Sequence, residues 1–295
     1  MSGVPTNRTN ITLPADVSSA ILQKTQEESA IMRLAQRIAL PGRGTTIPVI
    51  TADPVAAWTA ETASKPVSDP SLTTKLMTPY KLAVIVPFSM EFRRDANALY
   101  QACVERLPRA LAKQFDYTVA ASTAPGTGFD VLSGCTQRSI SSTAYASLVA
   151  ASTDIASHGG NMDGIALSPA GKGILLGALD GQNRPLFINS VADEAIPYIL
   201  GARVVISKGV YKAGAASTGT TPAVPNIVGI AGDWTQAMYG TVEGVQISIS
   251  EDATLVDANS QTINLWQQNM FAVRAEIELG FRADTDCFKL LTSAA

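Results

Sequence analysis

The sequence has few charged side chains. Asp, Glu, Lys and Arg together make up 16% of the 295 residues, and the formal net charge is only −3. Proteins that read nucleic acids carry clustered Lys and Arg, so this balance argues against a nucleic-acid reader. A low charge content also fits a protein that hides much of its surface in contacts with other molecules.

Cysteine is also scarce, and its pattern argues against a metal centre or a disulfide framework. The three cysteines, Cys103, Cys135 and Cys287, lie far apart and form no CxxC pair. Scattered cysteines in odd number are typical of a reducing compartment. The first residues lack the basic start and apolar core of a secretory signal, and runs such as LAVIV at 82–86 are too short to cross a bilayer. We therefore expect a soluble cytoplasmic product with no metal and no cofactor.

The residues of a catalytic constellation are missing from the sequence. His158 is the only histidine, and it stands where a predicted helix ends, which favours a helix-terminal role. No serine lies in a GxSxG elbow. The stretch SPAGKGILL at 168–176 resembles a phosphate-binding loop, but Ala166 replaces its first glycine and Gly173 replaces the Ser or Thr that binds magnesium. The pattern instead predicts a helix start preceded by Ser168.

One segment shows an unusually long strand pattern behind a loop that has little to bury. Mostly apolar side chains occupy the even positions from Leu72 to Met90, a period of two kept for about 19 residues, or roughly 60 Å of strand. An average strand has about five or six residues. The preceding loop, AAWTAETASKPVSDP at 56–70, is small and polar. We predict a protruding hairpin whose loop is buried by a neighbouring subunit.

Outside that segment the sequence predicts a mixed α+β fold. Helical periodicity indicates helices at 16–26, 95–122 and 141–157. Pro108 lies inside the second and is expected to kink it or split it in two. Alternating patterns indicate further strands at 31–40, 45–51, 245–250 and 269–282. In the last of these, charged side chains alternate with apolar ones and can pair across strands or between subunits.

The order of several motifs resembles that of a known family. An arm and two strands lead to PVAAWTAE, which opens the polar hairpin, and the returning strand ends in VPFSMEFRRDA. Next come LYQACVERLPRALAKQFDYTVAA, GFDVLSG, DGIALSPAGKGILLGALDGQNRPLF and ILGARVVISKGV. The chain closes with GDWTQAMYG and NMFAVRAEIELGFRADTDCFKLL. Each motif is weak alone, but the ordered set, over nearly the whole chain, resembles the major capsid proteins of tailed bacteriophages, which have the Hong Kong 97-type fold.

The resemblance implies a division of the chain into the parts of that fold. An N-terminal arm and an extended hairpin, the E-loop, reach over neighbouring subunits. A peripheral domain holds a long spine helix and long β-strands, and an axial α/β domain packs around the centres of pentamers and hexamers. The implied boundaries are 1–30 for the arm, 31–54, 79–134 and 236–285 for the peripheral domain, 55–78 for the E-loop, and 135–235 with 286–295 for the axial domain.

The resemblance also implies a structural function rather than an enzymatic one. Copies of the chain would form the pentamers and hexamers of an icosahedral or prolate head shell, which encloses double-stranded DNA without sequence-specific binding. The expected partners are the chain itself, a portal protein and, in some members, separate scaffolding and cement proteins. The expected location is the virion, after assembly in the host cytoplasm. Two alternatives stay open: an encapsulin-like compartment shell, and an α/β hydrolase or transferase.

Five residues of the hairpin are the candidate contacts between subunits. Trp58 is expected to anchor the hairpin base. The residues expected near the tip, where they would make polar contacts with a neighbour, are Glu61, Lys65, Asp69 and Lys75. Some members of the family join an E-loop lysine covalently to a neighbour's asparagine. Here the lysine would be Lys65 or Lys75 and the asparagine Asn264 or Asn269, although exposed lysines are in most cases simply solvated or ion-paired.

Overall fold

The fold combines helices and strands, as predicted. The computed structural model describes residues 29–52, 56, 58–59, 64–65, 67, 71–90, 96–187, 196, 198–218, 222–256 and 260–294. Its helices within these ranges are α1 (Ala30–Leu34), α2 (Ala96–Ala121), α3 (Ala144–Ser157) and α4 (Pro169–Leu176). The helices predicted at 95–122 and 141–157 are therefore confirmed. The helix predicted at 16–26 lies outside the described residues.

The strands of the described ranges form two larger sheets and two strand pairs. Their bounds, in chain order, are β1 (Gln36–Ala39), β2 (Thr45–Ala52), β3 (Ser71–Met77), β4 (Tyr80–Ser89), β5 (Gln137–Ser139), β6 (Gly164–Leu167), β7 (Tyr198–Ile199), β8 (Ala202–Ile206), β9 (Asn226–Gly232), β10 (Ala237–Thr241), β11 (Gln246–Ser250), β12 (Thr254–Val256), β13 (Thr262–Asn264), β14 (Met270–Ala283) and β15 (Phe288–Ser293). The strand pairs are β2–β3 and β12–β13.

The first sheet is organised around the long strand β14. This strand pairs antiparallel with β4, β10 and β11, and β1 adds to β10 in parallel. The predicted alternation in β14 is confirmed, since Phe271, Ile277 and Phe281 are buried on one face while Arg274 is exposed on the other. In β4 the even positions pack against the same core, also as predicted. The apolar period thus determines which face of each strand is buried.

The second sheet has six strands in the order β5-β15-β9-β6-β8-β7. Strand β6 is buried along its whole length and pairs with both β8 and β9. Side chains from α3 and α4, including Leu148, Ile155 and Leu175, form a core cluster with this sheet. This part of the chain therefore forms one sheet with its own layer of helices.

Helix α2 connects the two sheets through a shared core. Its residues Leu107, Leu111, Phe115 and Val119 are buried at the four-residue spacing that the sequence predicts. The ring of Phe115 meets that of Phe281 in the first sheet at 6.3 Å between centroids, edge to face. The helix is unbroken through position 108, so the split considered there does not occur. No helix among the described residues has the length and apolar character needed to cross a membrane.

Two of the passages of the chain between the sheets lie side by side, and Trp234 packs next to them. One passage joins β9 to β10 and the other joins β14 to β15. The Trp234 indole N–H donates to the Gly164 carbonyl at 2.9 Å, and its ring packs edge to face on Phe288 at 5.2 Å. A Cβ on Gly164 would lie 2.5 Å from the indole, so only glycine fits at this position.

A fully buried carboxyl group, that of Asp116 on α2, holds the start of α1. It accepts hydrogen bonds from the Ser29 hydroxyl at 2.6 Å, the Ala30 amide at 3.0 Å and the Ser207 hydroxyl at 2.5 Å. The Ile31 amide also donates to it, at 3.4 Å. Burial raises the pKa of Asp116, and the bonds from Ser207, Ser29, Ala30 and Ile31 oppose that rise. The carboxyl therefore occupies the N-terminus of a helix that would otherwise leave buried amides unpaired.

Two predicted strands are wrong in detail. The segment 31–40 begins with the short helix α1 and only then forms β1, because Ser29 caps the helix by accepting from the Met32 amide. The predicted strand at 72–90 is two strands, β3 and β4, which pair with different partners. Between them the Thr78 amide donates to the Gly128 carbonyl at 3.1 Å, which takes the chain out of the ladder.

Candidate functional site

The strands β2 and β3 form a two-stranded ribbon separate from both larger sheets. Their antiparallel register runs from Thr45 opposite Met77 to Ala52 opposite Ser71, with one irregularity near the far end. Within the described ranges neither strand pairs with a further strand. An isolated two-stranded ribbon is only marginally stable in water, so it has to be held at its base and covered elsewhere.

The base of the ribbon is held by Met77, which fits into a notch made by two glycines. Gly240 of β10 and Gly280 of β14 lie directly opposite each other in the first sheet. A Cβ on Gly280 would lie 2.7 Å from the Met77 side chain, and one on Gly240 would lie 2.9 Å from the Met77 sulfur. Met77 is fully buried there beside Leu40. The two missing side chains thus create the space that anchors the ribbon.

Polar contacts from the end of β14 reinforce the same anchor. Arg282 donates from Nε to the Leu76 carbonyl at 2.9 Å and from Nη1 to the Asp130 carboxylate at 2.6 Å. Lys75 donates from Nζ to the Ala283 carbonyl at 3.2 Å. The predicted position of Lys75 near the tip is therefore wrong: it lies near the base and contacts its own chain. Its role between subunits stays a prediction.

The glycine notch gives a direct test of this anchor. Gly280→Ala places a methyl group against Met77, and overpacking of this kind costs about 1–3 kcal/mol in the free energy of unfolding. Met77→Ala alone opens a cavity and costs about 2–5 kcal/mol. The double variant should lose less than the sum of the two, because the new methyl group fills part of the cavity. Denaturant unfolding of all three variants measures this coupling.

A matched control for that cycle is Gly134→Ala. A Cβ on Gly134 would meet nothing within 4 Å. The control should therefore change the free energy of unfolding by less than about 0.5 kcal/mol. Strict additivity of Gly280→Ala and Met77→Ala would show that Met77 does not occupy the notch in solution.

The remaining hairpin candidates lie beyond the paired part of the ribbon. Trp58 is fully exposed and Val67 is 90% exposed, so neither apolar side chain is covered by its own subunit. The prediction that Trp58 anchors the hairpin base is wrong, since Met77 does so instead. Lys65 is exposed as well. Glu61 and Asp69 lie outside the described residues, and their contacts stay predictions.

A second exposed apolar group lies next to the start of β14, at the end of the first sheet away from the glycine notch. Val256 of the β12–β13 pair is 69% exposed, and Trp266, just after β13, is 78% exposed. Asn264 accepts from the Gln267 amide at 3.1 Å, so its side chain holds the turn that carries Trp266. The signal available in the sequence is a tryptophan followed directly by three polar residues at 267–269, and tryptophan is enriched in surfaces that bind another protein.

Charged side chains cover the exposed face of β14 and pair across the strands, as predicted. Across the strands, Lys81 of β4 lies 3.9 Å from Glu276 and 3.6 Å from Glu278, and within β14 Arg274 lies 3.1 Å from Glu276. Glu276 and Glu278 also line a cavity of about 200 Å³ with Glu243. Such exposed pairs contribute little to the stability of the subunit.

The residues considered for catalysis have structural roles. His158 follows the last residue of α3, and its Nδ1 lies 2.8 Å from the Asp154 carbonyl oxygen. Ser168 caps α4 by accepting from the Gly171 amide at 3.1 Å. Burial raises the pKa of the Cys135 thiol to about 11, which keeps it protonated at neutral pH. In the described part of the chain, no cluster of His, Cys, Asp or Glu has the arrangement of a metal site.

Comparison with known proteins identifies the family. A sequence profile described as the phage capsid family matches residues 9–292, which is nearly the whole chain. The chain belongs to the phage capsid family. A relative within that family is the probable major capsid protein of Mycobacterium phage L5, 29% identical over 289 residues, covering 92% of this chain and 86% of the relative. The corresponding protein of Mycobacterium phage D29 is 28% identical over 283 residues, with the same shares covered.

Solved structures show the same fold. A chain from Mycobacterium phage Bobi superposes with a TM-score of 0.70 at 15% identity, covering 100% of this phage capsid chain and 95% of that one. A chain from Gordonia phage Cozz gives a TM-score of 0.68 at 21% identity, covering 91% and 87%. The capsid of a native GTA particle gives 0.58 at 15% identity, covering 100% and 96%. The predicted Hong Kong 97-type fold is confirmed.

Proposed function

We propose that this member of the phage capsid family is the major subunit of a phage head, and that its copies form the pentamers and hexamers of a closed shell around double-stranded DNA. The observation that carries the proposal is the match to the family over residues 9–292. Two relatives over most of their length are described as probable major capsid proteins. The subunit would be a component of the virion, assembled in the host cytoplasm.

The ribbon is the element we assign to contact between subunits. Its base is fixed by Met77 in the glycine notch, while Trp58 and Val67 beyond its paired part are uncovered in the single chain. A buried tryptophan is among the strongest contributors to protein interfaces. We infer that residues 55–78 act as the E-loop, with Trp58 as the apolar anchor on the next subunit and Glu61, Lys65 and Asp69 around it.

The two sheets support the proposed division into domains. The six-stranded sheet draws five of its strands from 135–235 and the sixth from β15, in agreement with the proposed axial domain of 135–235 and 286–295. The five-stranded sheet and α2 would form the peripheral domain. Subunits that contact one another head to tail, through two different surfaces, close into a ring when the rotation between neighbours permits. A shell of pentamers and hexamers needs rings of two sizes from one sequence.

Many modest contacts would hold such a shell together. Each subunit would bridge several neighbours through the ribbon, the arm and the faces of the two sheets. Linked contacts of this kind raise the effective affinity by about 10² to 10⁴ over any single contact. Portal, scaffolding and cement proteins would complete the head, and no step of this function requires a reaction or a cofactor.

Expression of the chain together with the other head genes of its phage tests the proposal. Negative-stain electron microscopy and mass spectrometry should find closed shells in which this chain is the main component. Shells that lack the chain would contradict the proposal. Shells filled with a cargo protein instead of DNA would favour the encapsulin-like alternative, because that function differs in what is enclosed rather than in the fold.

A further inference from the structure

We propose that a basic groove between α2 and the 3₁₀ turn at Lys208–Val210 binds the phosphate backbone of double-stranded DNA. The groove is defined by Arg106, Arg109, Lys113 and Lys208. This inference rests on the proposed function, since it takes packaged DNA as the occupant.

Three of the four cations form a line along one face of α2. Arg106, Arg109 and Lys113 follow one another at intervals of three and four residues, so they share a face of the helix. All three are exposed. The distance from the first to the last is roughly 10 Å at 1.5 Å per residue. A line of positive charge of this length matches a run of phosphates better than a single anion.

The fourth cation, Lys208, is held beside this line by close packing. A Cβ on Gly209 would lie 2.6 Å from the Lys113 carbonyl oxygen and 2.6 Å from the Asp116 Cβ, so the turn sits directly on the helix backbone. Ser207 donates to Asp116 at 2.5 Å and accepts from the Gly209 amide at 3.1 Å. The position of Lys208 next to Lys113 is thus fixed by buried contacts.

The cavity between these elements has the charge that an anion requires. It has a volume of about 350 Å³, and its lining includes Arg109, Lys113 and Lys208 but no Asp or Glu among the described residues. The carboxyl group of Asp116 is buried beneath Ser207 rather than exposed in the cavity. Arg109 also has a contact within the chain, so the positive charge open to an anion rests on Arg106, Lys113 and Lys208, in a chain whose net charge is only −3.

Double-stranded DNA is a better match to the groove than an acidic protein segment. Protein segments bind through apolar or aromatic anchors as well as charge, and the lining offers mainly Ile206 and Pro169 for that purpose. Phosphate contacts by Lys and Arg need no such anchor and carry no sequence information. A few contacts per subunit give weak, salt-sensitive binding, which suits a container that has to release its contents.

The test is DNA binding by unassembled full-length subunits, measured by fluorescence anisotropy with a short labelled duplex of arbitrary sequence at several salt concentrations. The logarithm of the affinity should fall with the logarithm of the salt concentration with a slope of about −3 for three contacts. In the double variant Lys113→Gln, Lys208→Gln the slope should become shallower by about 2, with affinity at low salt reduced on the order of tenfold. Both lysines are exposed, so the variant should unfold at the temperature of the parent.

The matched control is Arg43→Gln, Arg203→Gln, which removes the same two charges from exposed positions outside the groove. It should change the slope by much less than the groove variant. Equal effects of the two variants, or binding of polyglutamate in preference to the duplex, would overturn the proposal. Shell formation is scored separately by microscopy, so shells whose subunits bind DNA independently of the groove would refute this inference and leave the proposed function standing.

Discussion

Deleting residues 60–69 should abolish shell formation and leave a folded subunit. The deletion stops short of Ser71, the first paired residue of β3, so the ribbon from Thr45 to Met77 keeps its ladder and its anchor in the glycine notch. The polar contacts that we assign to Glu61, Lys65 and Asp69 would be lost. Because linked contacts multiply, removing one of them should lower the yield of shells by roughly 10²-fold or more. Sedimentation and electron microscopy measure the yield.

Point variants show whether that effect comes from a specific contact. Trp58→Ala should reduce assembly strongly, because its fully exposed side chain is the apolar group that we assign to the interface. Trp58→Phe, which keeps most of the apolar area, should restore a large part of it. Thermal unfolding of the deletion variant at the parent's temperature would establish that the subunit is intact. Shells of normal size and yield from the deletion variant would refute the assignment of the E-loop.

Replacing Asp116 with alanine should strongly destabilise the subunit itself. The change leaves the buried amides of Ala30 and Ile31 without their acceptor and removes the partner of the Ser29 and Ser207 hydroxyls. Each buried group left unpaired costs about 1–3 kcal/mol, so we expect a loss of about 2–5 kcal/mol in the free energy of unfolding. Denaturant unfolding of unassembled subunits measures it.

The matched control is Asp154→Ala, which also removes a helical aspartate. Asp154 accepts from Nε of Arg138 at 2.9 Å, and both side chains are about one-third exposed. Exposed ion pairs contribute about 0–1 kcal/mol, so this variant should be close to the parent. A loss for Asp116→Ala no larger than that of the control would show that the buried carboxyl does not hold α1.

The raised pKa of Asp116 determines whether the stability of the subunit rises or falls with pH. The folded state favours the protonated carboxyl, so the contribution of this group is complete below its ordinary pKa of 3.8 and is lost as the pH rises through the raised value. Asp116→Asn cannot titrate at this position. The stability of the parent relative to Asp116→Asn should therefore decrease as the pH rises above about 4. An increase over that range would contradict the raised pKa.

The sequence was most informative where one face of an element is buried and the other exposed. The alternation in β4 and β14 and the four-residue spacing in α2 correctly predicted which side chains enter the core. The pattern of buried positions in a strand, however, does not indicate which other strand it pairs with. The alternation continues through Thr78 and Pro79, so it concealed the point at which the chain leaves β2 and joins β14.

The residues that anchor the ribbon could not be predicted from the sequence, again because the pairing of distant strands decides the contact. Gly240 and Gly280 are far apart in the chain, and only the register of β10 against β14 brings them together. Trp58 was the natural candidate for the anchor because tryptophan is large and apolar. The structure instead fills the notch with Met77, whose unbranched side chain adapts to an irregular gap. The sequence does not predict the short helix α1 because, beside its cap Ser29, its first amides are held by Asp116, which is distant in sequence.

The double passage of the chain beside Trp234 has a mechanical consequence. Two sheets that are joined by a single chain segment can rotate about that segment, whereas two sheets that are joined by neighbouring segments resist the rotation. The Trp234 indole packs on Phe288 and donates to the Gly164 carbonyl beside these segments. We therefore expect the two sheets to move as one rigid body. Differences in curvature from one part of a shell to another would then be accommodated by the ribbon and the arm rather than by bending within the subunit.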